Sequence, residues 1–204
     1  MRRLLSLAFL PALLAGCAHQ IVITPDVSQL SGRDVKPIAQ KVGYYISAAD
    51  RELQVTTPGG GGDKVSYYPY REIEPALFKV LSNVFQRAYP VASPTDAAAF
   101  KANEIAYVIV PAIETDSSSE SAFTWPPTRF KIALACKALD RDGKTAWEKR
   151  VVGEGEATYD EFKSDFPLAA KRASLKAMAE LQRELSTAAE LRPAPGGPPQ
   201  AHTN

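Results

Sequence analysis

The chain has 204 residues, 45% hydrophobic and 23% charged, which suits one domain with a sizeable core and flexible ends. Its formal charge of +1 includes Arg2 and Arg3, which lie in a segment that processing would remove, so the mature chain sits near −1. No basic surplus points to nucleic acid, and no acidic run forms a charged tail.

In chain order, the first element is a signal. Arg2 and Arg3 are followed by an apolar run from Leu4 to Leu14, broken only by Ser6 and Pro11, and then by small Ala15 and Gly16. A signal peptidase needs such a slim, extended substrate. The run is too short to cross a hydrocarbon core that takes roughly 20 helical residues, so residues 1–16 read as removable. Leu14-Ala15-Gly16-Cys17 resembles the lipobox of bacterial lipoproteins. That resemblance implies cleavage between Gly16 and Cys17 and acylation of Cys17. Two or three acyl chains attach stably where one holds only marginally, which makes the membrane the first expected partner. Ala18 follows the cysteine. In such lipoproteins an aspartate there tends to retain the protein at the inner membrane, so the resemblance implies the outer membrane, periplasmic side.

Residues 17–40 read as the lipidated cysteine and a flexible tether. Pro25, Ser28, Ser31, Gly32 and Pro37 show no helical stripe, and Ile21-Val22-Ile23 is the one apolar run of three residues. The domain is expected over residues 41–190. Gly43 to Ser47 and Leu53 to Thr57 are β-branched and aromatic and predict a hairpin or bent strand pair. Pro58 and Gly59 to Gly62 predict a mobile loop. This glycine run is not a phosphate loop: Asp63 and Lys64 are followed by Val65, so the magnesium-binding hydroxyl is missing and a carboxylate stands where phosphate would sit.

Tyr67, Tyr68 and Tyr70 lead into a helix whose stripe is Ile73, Leu77, Val80, Leu81, Val84, Phe85 and Ala88, with Pro75 in its first turn and Pro90 and Pro94 ending it. An Ala-rich turn follows at Asp96 to Phe100. Glu104 to Thr115 is apolar on both faces, as in a central strand, with Pro111 marking a bulge or strand end. A polar loop from Asp116 to Ser121 precedes Phe123-Thr124-Trp125-Pro126-Pro127-Thr128.

Arg129 to Leu139 alternates cleanly, Phe130, Ile132, Leu134, Cys136 and Ala138 on one face and Arg129, Lys131 and Lys137 on the other. After a turn at Asp140 to Lys144, a return strand runs from Ala146 to Tyr159, where Gly153 and Gly155 suggest a bulge or a close backbone neighbour. A last helix is expected from Pro167 to Ala189 with Asp165 as its cap and Leu168, Leu175, Met178, Leu181 and Leu185 as its stripe, and residues 191–204 are expected to form a disordered Pro/Gly-rich tail.

These elements predict an α+β fold: a mostly antiparallel four- to five-stranded sheet with two amphipathic helices packed on one face. With its lipobox, size and element order, the chain resembles the small outer-membrane lipoproteins of the YajG and CsgG-related kind, whose folds are similar to the amino-terminal domain of TolB. The resemblance implies a location and a class of protein, not a reaction.

The residues that could carry chemistry are few. His19 falls in the expected tether and His202 in the tail, so the domain would hold no histidine, which removes Ser-His-Asp and Cys-His systems and the usual zinc sites. No Ser-x-x-Lys stands at a helix start. Glu154 and Glu156 share one strand face as a solvated row rather than a catalytic pair. Asp160, Glu161 and Asp165 lack the spacing of a calcium loop. No catalytic residue, metal or cofactor is therefore expected, and Cys136 reads as a buried small hydrophobe.

The aromatic groups remain: Tyr67, Tyr68 and Tyr70 beside the glycine loop, and Phe123 and Trp125 on a proline-stiffened loop. They are either protein-binding anchors or lids over the sheet ends. The function expected is a non-enzymatic, membrane-tethered adaptor or assembly factor for a periplasmic or outer-membrane protein. The alternative is an accessory subunit of a lipid-transport or secretion system that binds lipid or oligomerises. An apolar cavity between helices and sheet would favour the lipid reading, and a filled core the adaptor.

Overall fold

Period-two alternation of side chains makes the long strands and three- and four-residue spacing makes the two long helices. The structure, a computed structural model, describes residues 18–33, 35–119 and 125–193. The expected signal, the Gly16–Cys17 junction, Phe123 and, of the expected tail 191–204, residues 194–204 lie outside them; Leu191, expected in that tail, is buried in the core. Among the described residues the elements are, first, β1 (His19–Gln20), β2 (Ile38–Tyr44), α1 (Ala48–Glu52), β3 (Val55–Pro58), β4 (Lys64–Tyr67) and α2 (Pro69–Val84). Then come β5 (Phe85–Pro90), α3 (Ala97–Asn103), β6 (Ile105–Ser118), β7 (Arg129–Leu139), β8 (Thr145–Glu156), α4 (Tyr159–Phe162) and α5 (Leu168–Thr187).

Two sheets form, both mixed, in place of the single mostly antiparallel one expected. The large sheet has the order β5-β2-β6-β7-β8 and the small one β1-β4-β3. β6, β7 and β8 are antiparallel neighbours, whereas β2 lies parallel to both β5 and β6. The cause is the connections: α2 and then α3 carry the chain back across the sheet before the next strand begins, and such crossovers set strands parallel. The expected hairpin is also absent. Its two halves lie in different sheets, with α1 between them.

The helix begins at Pro69, not around Pro75, which lies inside it, and it stops at Val84. Phe85 and Ala88, expected on its stripe, belong instead to β5, where pairing with β2 outweighs continuation of the helix. The Ala-rich turn is a helix, α3, capped by the Asp96 carboxylate accepting from the Ala99 amide. Asp165 does not cap α5 with its side chain, which binds Lys171 at 2.8 Å.

β6 is central, as expected, but Pro111 neither bulges nor ends it. Pro111 pairs in register with Cys136. The amides of odd residues here point away from β7: Ile109 faces β2, and the Ile113 amide donates to the Tyr70 hydroxyl at 3.1 Å. β2 ends before it would reach Pro111, so the missing proline N–H leaves no neighbour unpaired.

Residues 18–40, expected as a tether, are part of the domain. Ile23 is fully buried, with Ile21, Leu30 and Ile38 almost so. The Ile21 amide donates to the Ser66 carbonyl at 2.9 Å, and the Ile23 amide to Glu72 Oε2 at 2.6 Å. Asn83 Nδ2 donates to the Leu30 carbonyl and Gln182 Nε2 to the Ser31 carbonyl, so the segment is strapped across both long helices.

Helices α2 and α5 cover one face of the large sheet. Between the layers Leu77, Leu81, Ile109, Ile132, Leu134, Met178 and Leu181 are closed off from solvent, and the space is filled by side chains. A smaller cluster of Phe100, Ile105 and Val108 lies under α3 on the other face. Cys136 points into the main core, and burial pushes its thiol pKa up to about 12. Only the thiolate reacts, so a maleimide should label Cys136 in unfolded but not native protein. Rapid labelling of the native form would contradict this packing. Ser174 Oγ on α5 is buried with no hydrogen-bond partner. Ser174→Ala is therefore expected to raise stability by about 1 kcal/mol, since it removes an unsatisfied polar group; urea unfolding measures it.

Candidate functional site

The aromatic residues singled out in the sequence divide in two. Tyr67 is fully buried; its ring meets Phe130 edge-on at 5.3 Å. Its hydroxyl donates to Thr115 Oγ1 at 2.7 Å and lies 3.2 Å from Thr57 Oγ1, while Ser117 Oγ donates to Thr57 Oγ1 at 2.6 Å. This hydroxyl chain pins the small sheet to β6. Tyr70 is buried as well, spending its hydroxyl on Ile113. Neither is a surface anchor, because each carries a backbone or core partner that the sequence could not show. Tyr68 is half-buried beneath the Arg71 guanidinium, 3.9 Å from the ring centre.

Trp125 belongs to a different group. Its ring stacks on His19 at 4.2 Å with the planes 20° apart, and meets Phe166 at 5.1 Å. Trp125 is half-buried and Phe166 is 46% exposed. Its backbone is held by the glycine run: the Gly60 amide donates to the Trp125 carbonyl at 2.8 Å, and a Cβ on Gly59 would stand 2.3 Å from that oxygen. Gly59 is thus needed for close approach to Trp125, and the loop expected to be mobile is tied down. His19, assigned to a tether by sequence, pairs with Val65 in β1 and lies 3.7 Å from Asp63. The domain therefore does contain a histidine, set among aromatic rings and one exposed carboxylate.

The segment after β8 borders this cluster. α4 is capped by Glu161, whose carboxylate accepts from the Thr158 amide and hydroxyl and from Arg172 Nη2 at 2.7 Å. The Arg172 hydrogen bond, then those of Thr158, hold the Glu161 carboxyl down at about 2. Because the folded value is depressed, this contribution is full above the ordinary carboxylate range and is lost as pH falls through about 2. A carboxyl NMR titration should place the midpoint near that value and move it upward in Arg172→Ala.

The second exposed feature is the outer face of β6, β7 and β8. The cross-strand register sets Asp116, Lys131 and Glu154 in one row, and Ser118, Arg129 and Glu156 in the next. Lys131 reaches Glu154 at 3.2 Å, Lys137 reaches Glu148 at 3.6 Å, and Arg150 reaches Glu114 at 2.8 Å across Ala133 and Ala135. Exposed pairs like these add little stability. Their effect is a solvent-facing surface with columns of alternating sign. Glu154 and Glu156 are salt-bridged members of it, as the solvated-row reading expected.

Fold and site together define a two-layer α+β domain whose first strand closes an aromatic cluster at one end. No family model and no curated protein matches the chain. Among solved structures, it is similar to a Xanthomonas campestris protein of the DUF330 family, at 10% identity and a TM-score of 0.45, over 81% of this chain and 92% of that one. A candidate lipoprotein of Caulobacter crescentus CB15 is similar at 14% identity and a TM-score of 0.38, covering 71% and 88% respectively. A dodecameric PelC variant from Paraburkholderia phytofirmans is similar at 15% identity and 0.35, covering 71% and 94%. At these identities and scores none of the three carries a function to this chain. No helix among the described residues is long and apolar enough to cross a membrane.

Proposed function

We propose that the protein is a non-enzymatic envelope lipoprotein, held by acylated Cys17 at the periplasmic side of the outer membrane, whose domain serves as an adaptor or assembly factor for a protein partner. The observation that carries the reading is the filled space between helices and sheet, next to a large uncovered sheet face. A lipid carrier needs an apolar chamber, and here Leu77, Leu81, Ile132 and Leu134 occupy that place. The alternating charge columns of β6, β7 and β8 offer a partner both register and specificity, since misplaced like charges repel. The lipobox supplies the attachment.

Two experiments test it. Cys17→Ser has no thiol to acylate, so it should lose label from a palmitate analogue and appear unprocessed or soluble; label that persists would remove the basis of the membrane assignment. Crosslinking on intact membranes followed by affinity purification should capture a partner with the native protein and lose it with Lys131→Glu, which puts a like charge between Asp116 and Glu154. Capture unchanged by Lys131→Glu would exclude this face.

A further inference from the structure

We infer that the end of the domain bearing His19, Trp125 and Phe166 rests on the lipid surface, so that the protein sits flush on its membrane in one orientation. This builds on the lipoprotein reading of Cys17. Only Ala18 separates Cys17 from His19, and two residue steps span about 7 Å at most. One headgroup layer of a bilayer is about 5–8 Å deep. Acyl chains on Cys17 begin at the base of that layer, so His19 is held at or within it.

The domain cannot retreat on a leash. β1 is paired with β4 from His19 onward, the Ile21 amide is bonded to Ser66, and Ile23 is fully buried. Whatever surrounds His19 is therefore carried to the headgroups with it. What surrounds it is aromatic: Trp125 stacked on His19, then Phe166 against Trp125. Phe166 and, in α4 just before it, Tyr159 are 46% and 58% exposed, a poor arrangement in water for large rings. Tryptophan and tyrosine favour the headgroup level, where an apolar ring body and a polar edge are both accommodated.

The other tryptophan provides a built-in reference. Trp147 lies near the start of β8, whereas the aromatic cluster adjoins the end of that strand, where Glu156 pairs with Arg129. Eight residue steps along the strand lead from Trp147 to Gly155, about 26 Å at 3.3 Å each. In the proposed orientation Trp125 touches lipid and Trp147 stands well clear of it.

The test uses acylated full-length protein, purified from membranes and reconstituted in vesicles of phosphatidylethanolamine and phosphatidylglycerol that contain a lipid brominated high on its acyl chain. Tryptophan emission should be quenched in the wild type, and that quenching should be lost in Trp125→Phe, which leaves only Trp147. If Trp125→Phe does not fold, Trp147→Phe gives the complementary protein, whose quenching should match the wild type. Wild-type protein that floats with the vesicles yet shows no quenching overturns the flush docking while leaving the anchor intact. So does quenching that survives in Trp125→Phe. Failure to float at all removes the anchor, and the docking with it.

Discussion

Gly153→Ala is expected to destabilise the protein by about 3 kcal/mol or more, despite adding one methyl group. The new Cβ would stand 2.0 Å from the Ala173 carbonyl oxygen and 2.5 Å from the Ala177 amide nitrogen. Both are helix backbone atoms, so no side chain can swing aside. α5 would have to lift from β8, yet Met178, Leu181 and Leu185 hold its buried side with no solvent exposure. Against this, alanine lowers the entropy of the unfolded chain, a gain of about 0.4–1 kcal/mol. The clash outweighs it. For a domain of this size the loss corresponds to a fall in melting temperature of roughly 6–12 °C. Val152→Ala, one residue away on the exposed face, should change stability by less than about 0.5 kcal/mol. Equal effects at the two positions would show that α5 does not lie against β8 as described. Gly155, whose Cβ would meet the Ala169 carbonyl at 2.0 Å, should behave like Gly153.

Ile23→Ala should cost about 2–4 kcal/mol. In a free tether the same change would cost nothing. Ile23 is fully buried, and its amide is spent on the Glu72 carboxylate, itself bonded to the Tyr68 amide. Truncation leaves a cavity between the strap and the start of α2. Val22→Ala provides the contrast: its neighbour is half exposed and should lose little. Thermal or urea melts of the two single mutants measure the difference directly. An Ile23→Ala protein as stable as wild type would return residues 18–40 to the role of a leash, and the flush docking would lose its geometric support.

How far the chain could be read in advance follows from how local each determinant is. Arg129 to Leu139 places Phe130, Ile132, Leu134, Cys136 and Ala138 on one face, and that strand is found with this face inward and Cys136 buried. The last helix was legible for the same reason, as its stripe of Leu175, Met178, Leu181 and Leu185 needs only neighbours three or four residues away. Gly153 and Gly155 announced a close neighbour through their missing side chains, and the neighbour is the alanine face of α5. For the aromatic residues the sequence left anchor and lid both open, because a ring in a polar or glycine-rich stretch carries no local sign of what covers it. Tyr67 and Tyr70 are buried by partners 48 and 43 residues away, at Thr115 and Ile113, and no local pattern records such distances.

By itself, then, the sequence determined the inward face of β7 and, up to Val84 in α2, the stripes of both long helices. Each depends on side-chain order along a few adjacent residues. Only the tertiary structure decided that β2 lies between β5 and β6 as a parallel strand, that Phe85 leaves its helix for an edge strand, and that Trp125 stacks on His19, 106 residues earlier in the chain. It also decided that the stretch from Ile21 to Leu30 is core rather than tether. Its three isolated apolar anchors show no period, and their burial depends on Ser66, Glu72, Asn83 and Gln182, distant residues that hold the strap down through its backbone.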